Sequence, residues 1–350
     1  MIAAWVPEPG RWRVGDYPDA PPPGAGEARV RVLATAVCAT DAKVLEGHFA
    51  GVRYPVVPGH EWGGVVDAVG AGVGNVRVGD RVGVEVHVDC EACERCREGR
   101  RNLCLNYGRA ESGHAHIGFT RDGGLAQYAT VPARALYPVP PSVPDDALAF
   151  VDSLALAMHA VERAELTVGA RVAVFGPGAV GLLAAQAARA VGARVAVVSG
   201  RRTSRARLAE ELGFAVASSD DPALAVRLAD ILGGPPDAAL EAAGGERAAG
   251  QALSAVRRGG TVVLAGTTGS GPRLPDVELA SVVRGELRIV GSVATSGSVV
   301  HRAVALLAAG AVEVSPLIGE RFALSRFEEG WRRFRAPDAA GVRVLFDPAD

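Results

Sequence analysis

The sequence holds a single lysine, Lys43; every other long basic side chain is arginine. Aromatic residues make up only 5% of the 350, so the core must be mostly alanine, valine and leucine. No apolar run approaches the ~20 residues that a membrane helix needs. The N-terminus, Met1-Ile2-Ala3-Ala4-Trp5-Val6-Pro7-Glu8, has neither a basic nor a long apolar segment. It does not read as a signal peptide, and a cytoplasmic protein is expected. The formal net charge of −2 gives no electrostatic reason to expect nucleic acid or an acidic membrane as partner. Cysteine is scarce and odd in number: five residues, four of them between Cys90 and Cys104. Without a secretion signal, such clustering reads as metal binding rather than disulfides. The length allows two domains of ordinary size.

What is present concentrates first between Cys38 and Glu61. Cys38-Ala39-Thr40-Asp41-Ala42-Lys43 puts a thiol, a hydroxyl, a carboxylate and an ammonium within six residues, and Gly59-His60-Glu61 follows a loop. Cys38 and His60 are ligand types that zinc accepts. In an apolar core Asp41, Lys43 and Glu61 would each need a charged partner. The plainer alternative is a buried cysteine, a loop histidine and solvated charges.

Short aliphatic runs punctuated by glycine and proline predict an irregular β-barrel before about residue 145, without helical apolar stripes. Val30–Ala34 is one of its strands. Cys90, Cys93, Cys96 and Cys104 can close a tetrahedron round one zinc with no open position, so that site is structural. The glycine-containing stretch 118–132 follows the cysteines. His114 and His116 precede it and are read as solvated loop histidines, with a substrate role as the alternative.

From about Asp145 the texture changes. Residues 147–164 are alanine-rich with helical period. The apolar strand 171–175 then runs into Gly176-Pro177-Gly178-Ala179-Val180-Gly181, a helix over 182–191 and a strand over 194–198. Strand, Gly-x-Gly-x-x-Gly, helix, strand is a dinucleotide fingerprint in its proper context. Further αβ units follow to about residue 291, including a strand ending at Gly266, and they predict a parallel, doubly wound sheet. Two tail helices, about 299–309 and 325–335, precede a closing strand over 341–346.

The stretch Gly59-His60-Glu61, Gly64, Gly70, Val73, with Cys38-Ala39-Thr40-Asp41, resembles the signature of the medium-chain zinc-dependent alcohol dehydrogenases. The four cysteines and the glycine fingerprint extend the resemblance over almost the whole chain, nearest to the polyol, threonine and aminocyclitol branch. It implies an α/β protein with two domains meeting in a cleft. One is a GroES-like catalytic barrel over 1–148 and 296–350, with a structural zinc lobe at about 88–106. The other is a dinucleotide-binding domain over 149–295. It implies hydride transfer at the carbon of a secondary alcohol or ketone, a sugar, cyclitol or aminocyclitol, by a homodimer or homotetramer. Cys38 and His60 become catalytic zinc ligands, and Glu61 an exchange ligand. Asp152, 24 residues before Gly176, becomes the third. Asp41 would fix the His60 ring, and Thr40 would take the alcohol proton. Lys43 falls where several members end the proton relay with histidine.

The chain departs from the family in two places. Asp152-Ser153-Leu154 replaces Glu-Pro-Leu, and Gly291-Ser292-Val293-Ala294-Thr295 lacks the Arg-Tyr pair of sorbitol-type members. The rivals are an NAD-dependent polyol or amino-alcohol dehydrogenase, a zinc-less reductase, and a non-catalytic zinc-module binding protein.

Cofactor choice is read at the end of the second strand. An NAD site places an acid there to hold the adenosine ribose. This chain has Ser199-Gly200-Arg201-Arg202, with no acid between the fingerprint and Glu210. Guanidinium groups bind phosphate through paired, charge-assisted hydrogen bonds. NADP is therefore expected over NAD. Ser199 and Arg201 would contact the 2′-phosphate, with Gly200 leaving room and Arg202 beside them. Gly176, Gly178, Ala179, Val180, Gly181 and Gly266 complete the expected cofactor contacts.

Overall fold

The structure is a computed structural model. It describes every residue except 50, 201–202, 267–272, 275–276, 296, 337–340 and 350. The chain divides into two compact units: Met1–Asp152 with Ala294–Ala308 and Ile318–Asp350, and Ser153–Val293 with Ala309–Leu317.

The first unit begins with the hairpin β1 (Ile2–Glu8) and β2 (Arg11–Asp16). There follow β3 (Glu27–Val37), α1 (Ala39–Leu45), β4 (Glu61–Val69), β5 (Arg81–Val84), β6 (His87–Val88) and α2 (Glu94–Arg97). β7 (Ala115–His116), β8 (Tyr128–Pro132), β9 (Leu136–Pro138) and α3 (Asp145–Leu148) complete its first passage. α4 (Val151–Arg163) leads into the second unit.

The long, valine-rich β3 is the spine of a seven-stranded sheet, pairing antiparallel with β4 and β8. Glycines let its layers close. A Cβ on Gly64 would collide with the Arg31 carbonyl of β3. Val30, Val32, Val66, Val82, Trp62 and Phe119 are buried in its core, as the scarcity of aromatics requires. Before residue 145 the helices are short: α1 has seven residues and α2 four, too few to show an apolar stripe. The helical stretch 147–164 is split between the end of α3 and α4.

The second unit runs β10 (Arg171–Phe175), α5 (Ala179–Ala190), β11 (Arg194–Ser199), α6 (Thr203–Glu211), β12 (Ala215–Ser218) and α7 (Leu224–Leu232). It continues with β13 (Ala238–Glu241), α8 (Glu246–Ala255), β14 (Thr261–Leu264), α9 (Leu279–Gly285) and β15 (Arg288–Gly291). The six strands are parallel in the order β12-β11-β10-β13-β14-β15, the doubly wound arrangement. Ala173, Val198, Leu228, Ala239 and Val262 build its core.

The chain then returns to the first unit as α10 (Gly297–Ala308), visits the second again at Ala309–Leu317, and ends with β16 (Ile318–Ala323), α11 (Phe327–Arg335) and β17 (Arg343–Asp347). Gln186, fully buried on α5, pins the visiting segment: its amide donates to the Glu313 carbonyl at 3.0 Å and accepts from the Glu313 N–H at 2.8 Å. β17 joins β3 on the side away from β4 in the strand order.

Candidate active site

Cys38 is the one residue between β3 and α1. Its backbone is extended, and its thiol accepts from the Thr40 N–H at 3.3 Å. Asp41 completes the cap, its Oδ2 accepting from the Cys38 N–H at 2.9 Å. This is a capping box with a thiol in place of the usual hydroxyl. One helical turn thus fixes Cys38, Thr40 and Asp41 together.

His60 stands just before β4, next to Gly59, whose φ of +87° suits glycine. Asp41 Oδ1 accepts from the Gly59 N–H at 3.2 Å and lies 3.0 Å from His60 Nδ1. A carboxylate only accepts, so Nδ1 carries a proton. The other ring nitrogen, Nε2, lies 3.1 Å from Cys38 Sγ. Burial disfavours a charged ring, but Asp41 and Cys38 outweigh it and hold the His60 pKa well above its ordinary value. A metal would take the place of the Nε2 proton, so binding releases it.

The ligand atoms of Cys38, Asp41 and His60 lie within 4.8 Å of one another. Asp41 already accepts from three N–H groups, which leaves the thiol and Nε2 as the open donors. Their 3.1 Å separation is near the about 3.5 Å that zinc–sulfur and zinc–nitrogen bonds impose across a tetrahedron. The donor set fits zinc.

Asp152, in the first turn of α4, is fully buried but outside that close group. Its Oδ1 accepts from the Val86 N–H at 3.0 Å. Burial lifts its pKa to about 6 against the Val86 bond and His60, while Glu61 adds to the rise. It therefore feels both residues without being closed onto them. Glu61 is held elsewhere: Arg343 Nε and Nη2 donate to its two oxygens at 2.5 and 2.6 Å. Sequence reasoning missed Arg343. The available signal was a lone charge inside the apolar run Gly341-Val342-Arg343-Val344-Leu345-Phe346. Lys43 lies in the last turn of α1, and among the described residues its side chain makes no ion pair.

The four Sγ atoms of Cys90, Cys93, Cys96 and Cys104 also lie within 4.8 Å of one another. Cys96 Sγ is 3.9 Å from that of Cys90 and 3.4 Å from that of Cys93, against an edge of about 3.8 Å for a four-thiolate zinc tetrahedron. N–H groups of Cys93 and Leu105 and the Asn106 amide donate to these sulfurs. No disulfide forms. The cysteines form a small core cluster of their own. The set fits a closed zinc.

In the second unit the fingerprint lies between β10 and α5. Gly176 has φ +99°, and a Cβ there would press on Ala243; a Cβ on Gly181 would collide with the Gly176 carbonyl. Gly178 is the N-cap of α5, with no side chain capping it, and the space where its Cβ would be is open to Arg205 Nη1 at 3.9 Å. Ala179 and Val180 open the helix. Its exposed N–H groups suit a pyrophosphate. Gly266 is packed so closely on Gly244 that only glycine fits. Ser199 ends β11 buried, and its Oγ has no hydrogen-bond partner among the described residues. Gly200 follows with only Ser219 Oγ near its Cβ position, at 3.5 Å. The orphaned hydroxyl at the end of β11 is a donor and acceptor that an adenosine ribose or its phosphate could use. Arg201 and Arg202 lie outside the described residues.

His114 and His116 are not solvated loop side chains. His114 is 2% exposed and His116 half-buried, because β7 carries the segment into the sheet edge opposite β6.

A barrel with a thiol–imidazole metal pair and a parallel sheet with a glycine fingerprint define a metal- and nucleotide-dependent dehydrogenase. Residues 24–141 match the alcohol dehydrogenase GroES-like domain, and 179–309 match the zinc-binding dehydrogenase domain. An L-threonine 3-dehydrogenase of Anaeromyxobacter sp. (strain Fw109-5) is 35% identical over 341 residues, 95% of each chain. A sorbitol dehydrogenase of Gallus gallus is 30% identical over 361 aligned positions, covering 100% of this chain and 97% of its own. A zinc-binding dehydrogenase of Sinorhizobium meliloti 1021, solved bound to NADP, superposes with a TM-score of 0.89 at 32% identity, covering 99% of both chains. The chain belongs to the medium-chain zinc-dependent alcohol dehydrogenases, in their polyol and threonine branch. It is an NAD(P)-dependent alcohol dehydrogenase. Among the described residues, no helix is long and apolar enough to cross a membrane.

Proposed function

We propose that the protein moves a hydride between NADP(H) and the carbinol or carbonyl carbon of a secondary alcohol or ketone, the substrate being a sugar, cyclitol or aminocyclitol. The observation that carries this reading is the thiol–imidazole pair, Cys38 Sγ 3.1 Å from His60 Nε2, with Asp41 on the opposite ring nitrogen.

Cys38 and His60 would hold a zinc ion, with Asp152 as third ligand, directly or through water. The chemistry supplied when both groups are bound is Lewis-acid polarisation of the substrate oxygen and acceptance of the hydride. Asp41 keeps the Nδ1 proton in place and so reserves Nε2 for the metal. Arg343 occupies both oxygens of Glu61, the carboxylate that would otherwise be free to act as an exchange ligand. Thr40 takes the alcohol proton, and Lys43 passes it to solvent. A second zinc closes the four-cysteine lobe and does no chemistry.

In the second unit the N-terminus of α5 and the three glycines hold the pyrophosphate. The missing acid after β11, the orphaned Ser199 hydroxyl and the NADP in the Sinorhizobium meliloti relative support NADP over NAD. One observation favours the second reading, an NAD-dependent polyol or amino-alcohol dehydrogenase: the identity to an L-threonine 3-dehydrogenase. The non-catalytic zinc-module alternative does not account for the fingerprint. A homodimer or homotetramer is supported by the second unit. β15 is an edge of its sheet, and α9 exposes Leu279 and Val283 one turn apart.

Metal analysis combined with cofactor reduction by secondary alcohols tests the whole. Two zinc ions per active chain are expected, and Cys38→Ser should lose turnover and one zinc. Full turnover in that variant would sink the assignment.

A further inference from the structure

Glu241, the last residue of β13, is a buried carboxylate, 2% exposed. Such a group must be paired or hydrogen-bonded. Here backbone N–H groups serve it. Its Oε1 accepts from the Ala243 N–H at 2.8 Å and from the Gly244 N–H at 2.7 Å. Burial raises its pKa, while the N–H groups of Gly244, Ala243, Gly245 and Gly266 act against the rise. The Glu241 carbonyl accepts as well, from the N–H groups of Ala265 and Gly266, both at 2.8 Å. One residue thus ties the turn after β13 to the end of β14.

The same turn packs against the glycine fingerprint. Glu241 is level with Phe175 in the ladder of β13 and β10, and the Ala242 N–H donates to the Phe175 carbonyl at 2.9 Å. Gly176 comes next after Phe175, and a Cβ on it would stand 2.8 Å from both the nitrogen and the Cβ of Ala243. A Cβ on Gly181 would lie 3.6 Å from that of Ala242, and one on Gly266 would collide with the Gly244 nitrogen. The turn therefore touches two of the three fingerprint glycines and Gly266.

Its place in the sheet gives this packing a use. From β10 the strands run out to β12 on one side, and β13 lies on the other. Ligands of such sheets bind in the crevice outside the carboxyl ends of the strands at that reversal, here β10 and β13. The fingerprint is the β10 side of the crevice, and the turn held by Glu241 is its β13 side.

We propose that Glu241 is a positioning residue for the dinucleotide: it fixes the turn Ala242–Gly244 against Gly176, and so the backbone that receives the pyrophosphate. This rests on the reading of the fingerprint as the pyrophosphate site and deepens it. Glu241 does not bind the phosphates, which its charge would repel. The Ala243 and Gly244 N–H groups are taken by the carboxylate, so the turn acts through its shape. A turn ordered before the cofactor arrives spares binding the entropy of ordering it. The pyrophosphate is common to NADP and NAD, so the effect is the same for both.

The test uses the full-length, zinc-loaded enzyme, with NADPH and NADH titrated by nicotinamide fluorescence and cyclohexanol as the alcohol for kinetics. Glu241→Ala should raise the Kd of both cofactors about tenfold, by a common factor, as the turn loses its order. Zinc content, the KM for cyclohexanol and kcat at saturating cofactor should stay within about twofold of wild type, because uniform cofactor binding alone is lost. Glu241→Gln keeps an oxygen for Ala243 and Gly244 but presents an NH2 in place of the second oxygen, and should raise both Kd values about threefold. Unchanged Kd values in Glu241→Ala overturn the role, and so does a loss confined to NADPH, which would put the effect at the 2′-phosphate. If Glu241→Ala fails to fold, Glu241→Gln decides: a common rise upholds the role, and wild-type Kd values overturn it. A wild type that binds neither nucleotide overturns the reading of the fingerprint itself, and the role of Glu241 with it.

Discussion

Arg343 grips both carboxylate oxygens of Glu61, at 2.5 and 2.6 Å, across 282 residues of sequence. Both side chains are at least nine-tenths buried. Burial opposes the guanidinium charge, but Glu61, Cys38 and Asp41 around it raise its pKa further, so it stays cationic. Removing one partner of such a pair strands the other charge. Arg343→Leu should cost about 3–5 kcal/mol of stability. Adding Glu61→Gln should restore a large part. Denaturant midpoints of the two single variants and the double variant check this, and a cost under about 1 kcal/mol for Arg343→Leu would contradict it.

Asp41 accepts from the N–H groups of Cys38, Gly59 and His60 with two oxygens. An asparagine has one oxygen and must turn an NH2 toward a donor. Asp41→Asn should lower zinc affinity at the Cys38–His60 site about 10–100-fold while the four-cysteine site is unaffected. Competition with a chromogenic chelator measures both sites. Equal loss from both would show general unfolding instead.

Glu85 is buried and accepts from the Tyr137 hydroxyl at 2.6 Å. Burial pushes its pKa up to about 8, Tyr137 opposing and Asp152 and Asp89 adding to the rise. The folded chain then keeps a proton that the unfolded chain releases near pH 4.5. Stability therefore falls as pH rises from about 4.5 to about 8, by up to about 1.4 kcal/mol per unit from this group. Glu85→Gln should flatten that slope, so its advantage over wild type grows between pH 6 and pH 8. Parallel slopes in urea titrations would refute the assignment.

Lys43 is the one ammonium among the long basic side chains, a compact donor on a flexible stem that a planar guanidinium does not replace. Lys43→Arg should lower kcat severalfold and change the pH profile. Unchanged kcat and pH profile would remove Lys43 from the relay.

The loop after β11 should select the phosphate-bearing cofactor. The expected kcat/KM is at least tenfold higher with NADP(H) than with NAD(H). Arg201→Ala should narrow that gap by weakening NADP(H) alone. A higher value with NAD(H) in wild type decides against it.

The α/β class was legible because its signals are local. The strand over 171–175 is wholly apolar but for Arg171, and Gly176 and Gly181 each have a steric reason to lack a side chain. The residue types of Cys38 and His60 marked them as candidate metal ligands, and the structure brings their donor atoms together beside Asp41. Arg343 was not legible as a partner of Glu61. Their meeting depends on β17 pairing with β3 and β3 with β4, and strand order across the whole chain is not written in either segment. Helix α1 escaped because its support is the cap from Cys38 and Asp41, not an apolar stripe. His114 was misread for a related reason. Nothing near it in sequence says that β7 will lie against β6.

The interleaved path of the chain sets an order of completion during synthesis. The second unit has all its residues once Leu317 has been made, including the segment that Gln186 pins. The first unit, begun earlier, still lacks β17, the strand that covers the far side of β3 and carries Arg343. The usual amino-to-carboxyl sequence of domain folding on the ribosome is therefore expected to be inverted. A ribosome stalled before Arg343 would hold a nascent chain with a finished nucleotide-binding half and an open metal-binding half, its Glu61 still without a counter-charge.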